Sequence, residues 1–131
     1  MTIFFPPGWF GMLNLDTHIL LKAVEGALTP REIGILKKDT EWGISAIVLW
    51  EIAKLHQIGR IRFGLDHAPL AAALDRVYVW PISRQVCSNI AALDFKSDPA
   101  DEIIAATSLT HAVALVTRDT RIRKSRLLHC L

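Results

Sequence analysis

Between residues 12 and 131, short apolar runs alternate with stretches of helical spacing, and this alternation admits few architectures. Met12–Leu15, Trp42–Ser45, Val77–Ile82 and Val113–Thr117 read as buried strands. Thr17–Val24 starts a helix after the first of them. Thr29-Pro30-Arg31-Glu32 sets a capping box and an N1 proline before a helix running to Lys38. Ala46–His56 repeats Ile47, Val48, Trp50, Ile52 and Leu55 at helical spacing. A loop at Gly59–Gly64 precedes a helix over Pro69–Arg76. Ser83 opens a helix to Leu93, and Asp98-Pro99 opens another to His111. Asp119–Lys124 is a short helix and Leu127–Cys130 a final strand. Strands separated by helices pair in parallel through crossovers. The expected fold is a three-layer α/β/α domain on a central, mostly parallel sheet.

One domain accounts for the 131 residues. A chain that is 51% hydrophobic and 21% charged fills a core and is too apolar for disorder. Fifteen Lys and Arg against 13 Asp and Glu leave a net charge of +2, so affinity for nucleic acid has to come from a local patch. Cys87 and Cys130 form no CxxC pair and no dense disulfide framework; two free thiols suit a reducing cytoplasm. No apolar run reaches the ~18–20 residues that cross a bilayer. The first eleven residues have no basic n-region, and Pro6-Pro7-Gly8 breaks their apolar run. Met12 stands directly before the first strand. Residues 12–131 are therefore read as the domain and residues 1–11 as an N-terminal extension, either a misassigned start or an apolar arm that packs on a partner.

Ligands of open parallel sheets bind beyond the carboxyl ends of the strands, which gives meaning to where the acids fall. Asp16 follows the first strand, and Asp119 follows the fourth. Asp101 lies in the first turn of the helix before the fourth strand, and Glu51 interrupts an apolar helix. Asp16 and Asp119 also suit helix caps, and a helix dipole favours Asp98 and Asp101. Glu51 has a weaker ordinary explanation, because a carboxylate on an apolar stripe is costly to bury unless paired or metal-bound. Its nearest sequence partner is Lys54. Carboxylates gathered together repel, and a hard divalent cation such as Mg²⁺ or Mn²⁺ relieves the repulsion. An acid-only site of this kind points to metal-assisted hydrolysis of a phosphate ester. No Ser-His-Asp or Cys-His pairing competes for the chemistry, and the five histidines lack ligand-pair spacing, His18 beside Asp16 being the one to follow. A haloacid-dehalogenase-like phosphatase needs a second Asp two residues after Asp16, where His18 stands.

With these residues in place, the sequence resembles the PIN-domain ribonucleases, and among them the VapC-like toxins of type II toxin–antitoxin pairs. Leu13-Asn14-Leu15-Asp16-Thr17-His18 matches the first motif. Residues 44–53 (ISAIVLWEIA) match the second, DPADEIIAAT at 98–107 the third, and Leu115-Val116-Thr117-Arg118-Asp119 the fourth. The resemblance implies a PIN-like fold and an Mg²⁺-dependent endoribonuclease, with Mn²⁺ as a possible substitute. It also implies inhibition by a cognate antitoxin, and a homodimer. Asp16, Glu51, Asp101 and Asp119 fall on the family's acidic quartet. Asp16 and Asp101 are the expected direct ligands, Asp119 binds directly or through water, and Glu51 ligates or orients the attacking water. Thr17, Ser45, Asp98 and Thr117 are candidates for support, with Asp98 and Ser45 most simply caps. Two features depart from the pattern: Glu102 follows Asp101 where a basic residue is common, and residues 1–11 have no counterpart.

Five of the 15 basic residues, Arg118, Arg121, Arg123, Lys124 and Arg126, fall close together in sequence. They form either a phosphate-tracking edge for RNA or a solvated helix face. Arg118, Arg121, Arg123 and Lys124 are the RNA-contact candidates, and Arg60 and Arg62 would extend the edge. The competing readings are a non-catalytic PIN-like module that binds RNA or protein, and a housekeeping RNA-processing nuclease.

Overall fold

The computed structural model describes residues 11–38 and 41–131. Its four strands are β1 (Met12–Leu15), β2 (Glu41–Ser45), β3 (Tyr78–Trp80) and β4 (Ala114–Val116). They form one sheet in the order β3-β2-β1-β4, and every pairing is parallel. The helices are α1 (Thr17–Glu25), α2 (Pro30–Lys37), α3 (Ala46–Gln57), α4 (Ala68–Leu74), α5 (Arg84–Asn89), α6 (Pro99–His111) and α7 (Thr120–Arg123). Parallel pairing puts the carboxyl ends of all four strands on one edge. Leu15 sits beside Val116, and Ser45 beside Trp80. That edge is where Asp16, Ser45 and Thr117 leave the sheet.

Local chemistry accounts for the boundaries. Thr29 accepts from the Glu32 N–H while the Glu32 carboxylate accepts from the Thr29 N–H, the reciprocal capping box of α2. Gly26 ends α1 in the left-handed conformation at φ 71°, which costs a glycine nothing. Leu15, Ile19, Leu20, Ile44, Val48, Ile52, Leu70, Ile104 and Leu115 are fully buried and lock the helices to the sheet. Asn14 is a polar exception between Leu13 and Leu15. Its amide donates to the Ile104 carbonyl (3.0 Å) and the Ser108 hydroxyl (2.9 Å), so the central strand is tied to α6.

The structure trims several expected elements. The third strand shortens to Tyr78–Trp80, because Pro81 has no N–H to continue the ladder. The helix from Ser83 ends at Asn89 and gives way to a 3₁₀ turn over Ile90–Ala92. The final strand reduces to one parallel bridge between Leu115 and Cys130. Ser125 and Arg126 are drawn instead onto the Asp94 carboxylate, at 2.6 and 2.8 Å, which leaves little chain to lie along β4. In α3, Val48 and Ile52 enter the core, whereas Trp50 is 57% exposed. The expected extension at residues 1–11 lies outside the described residues except for Gly11.

Gly43 of β2 is a position of close approach. A Cβ there would stand 2.4 Å from the Trp80 ring, which is held between an edge contact with Tyr78 and a stack on His111. Gly43→Ala is expected to destabilise the fold by about 1–3 kcal/mol through overpacking, read as a lowered Tm. An unchanged Tm would show that the ring can move aside.

Candidate functional site

Each carboxylate reaches the carboxyl edge of the sheet for a local reason. Asp16 leaves β1 in an extended conformation and caps α1, with Oδ1 accepting from the Thr17 N–H at 2.8 Å. Its Oδ2 accepts from the Thr117 hydroxyl at 2.6 Å, which joins the ends of β1 and β4. Asp16 and Thr117 are both buried. The Thr17 hydroxyl donates to Oε1 of Glu51, so the start of α1 is bonded to the middle of α3. Ser45 ends β2 and caps α3 by accepting from the Ile47 N–H at 3.2 Å, and so fixes the helix that carries Glu51. Asp119 caps α7 with Oδ1, accepting from the N–H groups of Arg121 (2.9 Å) and Ile122 (3.1 Å).

Asp101 stands in the first turn of α6, where the Ser97 hydroxyl donates to Oδ2 at 3.0 Å. Its carboxyl is pushed up to about 6. Burial is the largest cause, the Ser97 hydrogen bond opposes it, and the negative charges of Asp16, Glu51 and Asp119 add to it. Asp101 therefore feels the charge of three acids that lie up to 85 positions away in sequence.

Among the described residues, no three or more His, Cys, Asp or Glu side chains are placed together so as to hold a metal ion. A closed cage is not what Mg²⁺ requires, since it keeps several waters and takes one or two protein carboxylates directly. The donor chemistry fits such an ion: only oxygen, unevenly buried, and with one member kept from ready ionisation chiefly by burial and further by its neighbours' charge.

The remaining candidates separate by what they touch. Thr17, Ser45 and Thr117 are bonded within the site as described. Asp98 is the N-cap residue of α6 by position, yet its side chain makes no capping bond. The cap of this loop is Glu102, which accepts from the Ser97 N–H at 3.3 Å. The unusual acid after Asp101 thus has a structural partner. His18 is exposed.

A pocket of about 810 Å³ joins Asp101 and Asp119 to Lys96, Arg118 and Arg121. The Arg121 guanidinium donates to the Lys96 carbonyl at 2.9 Å, and Lys124 is exposed. Arg118 and Arg123 are more committed within the chain. Arg123 donates to the carbonyls of Thr117 (3.1 Å) and Leu131 (2.7 Å). Arg118 grips Glu32 at two points, and the Glu32 carboxyl is lowered to about 2, chiefly by that bond. Sequence reading missed Lys96, Ser97 and the second role of Glu32. The capping box located Glu32, but nothing in the sequence pairs it with a residue 86 positions away.

Comparison with known proteins agrees with this fold. The PIN domain family model matches residues 14–126. Ribonuclease VapC22 of Mycobacterium tuberculosis is 34% identical over 117 residues, covering 86% of this chain and 90% of the relative. Among solved structures, VapBC2 from Rickettsia felis bound to a promoter DNA fragment superposes with a TM-score of 0.72 at 18% identity. That match covers 92% of this chain and 97% of the other. A toxin–antitoxin complex from Klebsiella pneumoniae gives a TM-score of 0.59 at 27% identity, over 86% and 90% of the two chains.

Proposed function

The chain belongs to the PIN-domain family, and from that premise we propose that it is an endoribonuclease toxin that hydrolyses RNA phosphodiester bonds with Mg²⁺ or Mn²⁺ and is held inactive by a cognate antitoxin. The observation that carries this reading is that acids from distant segments meet at one edge of the sheet: Thr117 bonds Asp16, Thr17 bonds Glu51, and Asp101 and Asp119 line one pocket. Relatives named as a ribonuclease and as a toxin–antitoxin complex support the substrate and the partner. A homodimer and a cytoplasmic location belong to the same proposal. No helix among the described residues is long and apolar enough to cross a membrane.

Asp16 and Asp101 would hold the ion, with Asp119 beside them directly or through water. When bound, the cation supplies charge neutralisation at the phosphodiester and a lowered pKa for water. The chain's own residues set the geometry for this. Thr117 keeps the Asp16 carboxylate turned toward the end of β4, and Thr17 holds Glu51 in reach of the same edge. Glu51 is the group that orients the attacking water, since its carboxylate retains acceptor capacity beyond the Thr17 bond. In the pocket shared with Asp101 and Asp119, Arg121 and Lys96 offer positive charge to the phosphates flanking the scissile bond, and Lys124 is exposed nearby in sequence. Arg118 and Arg123 contribute to that field while bonded within the chain.

Incubation with total RNA tests the proposal. Cleavage is expected with Mg²⁺ or Mn²⁺ and none with excess EDTA. Protein that binds RNA but never cuts it with either ion would establish the non-catalytic module instead.

A further inference from the structure

Thr117, Arg118 and Asp119 are consecutive, and each is held differently. The Thr117 hydroxyl donates to Asp16 and accepts from the Asp119 N–H at 3.1 Å. Asp119 caps α7. Arg118 lies between them and reaches to α2. Its Nε donates to Glu32 Oε2 at 2.7 Å and its Nη2 to Glu32 Oε1 at 2.6 Å, with a longer bond of 3.5 Å to the Ala27 carbonyl. This is the two-point fork by which a guanidinium fixes a carboxylate in direction as well as distance. The Glu32 side chain is only 9% exposed, against 42% for Arg118, so the acid is the fixed member of the pair. Glu32 is fixed because its carboxylate also closes the capping box with Thr29.

We infer that Glu32 is a positioning residue of the nuclease site. By gripping Arg118 at two points it anchors the link between β4 and α7, which carries the Thr117 hydroxyl and the Asp119 carboxylate to the acidic cluster. The inference rests on the nuclease reading and adds to it a residue outside the acidic quartet. A surface ion pair alone would matter little. This one differs because its basic member sits directly between two residues of the site, Thr117 and Asp119.

Two substitutions separate this role from simple support of α2. Glu32→Gln keeps the capping box, because Gln serves at the N3 position, but removes the charge that holds the Arg118 fork. Arg118→Lys leaves Glu32 and its cap untouched and removes the fork. Both are expected to lower kcat on RNA by about 10–100-fold, as loss of an outer partner does in metal sites, with KM changed less than about threefold. Both are also expected to weaken Mn²⁺ binding, read by calorimetry without RNA, by about 10-fold or more. Should Glu32→Gln fail to fold, Arg118→Lys carries the same readings. Unchanged kcat and unchanged Mn²⁺ affinity in a folded variant overturn the inference. So does a raised KM at constant kcat, which would make Arg118 a contact to RNA. The parent protein distinguishes the two levels of failure. If it does not cut RNA, the nuclease reading falls, whereas a cutting parent with unaffected variants removes Glu32 alone.

Discussion

Asp16→Asn is expected to reduce RNA cleavage by at least about 10²–10³-fold while leaving the fold in place. The two halves of that expectation have separate causes. Asn is as good an N-cap as Asp, so α1 keeps its first bond from Thr17. The Asn amide N–H₂ then faces the Thr117 hydroxyl, which can turn to accept from it. What disappears is the negative charge at the buried end of β1, where Asp16 meets Thr117. Circular dichroism and thermal melting beside a cleavage assay check the pair of outcomes. A variant that cuts at the parent rate with the same cation dependence would remove Asp16 from the chemistry.

The second large effect is on stability and has the opposite sign. Asp101 in the folded protein holds its proton to about pH 6, above its ordinary value of 3.8. A carboxyl raised on folding contributes fully below its unfolded pKa, and that contribution is lost as pH rises through the folded one. The metal-free protein therefore loses stability from this residue between about pH 4 and pH 7. Asp101→Asn does not titrate, so the variant should be the more stable at neutral pH, by about 1–2 kcal/mol once its partial exposure is allowed for. That is a rise of several degrees in Tm at pH 7.5 which shrinks toward pH 4. Added Mg²⁺ should stabilise the parent more than the variant, because the ion binds the folded site that the variant has weakened. The same variant should lose RNA cleavage. Equal melting temperatures at every pH would mean that neither burial nor neighbouring charge raises the Asp101 carboxyl.

Much of this site is legible in the chain because it depends on periodicity and on strand ends. An acid after Leu13-Asn14-Leu15 and another after Leu115-Val116-Thr117-Arg118 have to emerge on one edge once the strands are parallel. The capping box at Thr29 and the Ser45 cap are equally local and appear as read. What could not be read is set by contacts between distant segments. Arg118 looks like part of a basic edge until α2 brings Glu32 against it. Asn14 looks like an ordinary strand residue until α6 offers it the Ile104 carbonyl and the Ser108 hydroxyl. The final strand was expected from its apolar residues, but the pull of Asp94 on Ser125 and Arg126 decides its path. Glu102 stands in sequence as a departure from a common basic residue and serves in the fold as the acceptor for the Ser97 N–H. In each case a side chain's role follows from its tertiary partner, and its neighbours in sequence do not name that partner.

The most direct measurement is the ionisation of Asp101 itself, followed by carbon-13 NMR of its carboxyl across a pH titration, first without a divalent cation and then with saturating Mg²⁺. The account predicts a midpoint near 6 in the metal-free protein and a fall to the ordinary carboxylate range or below once Mg²⁺ is present. An ordinary midpoint under both conditions would contradict it.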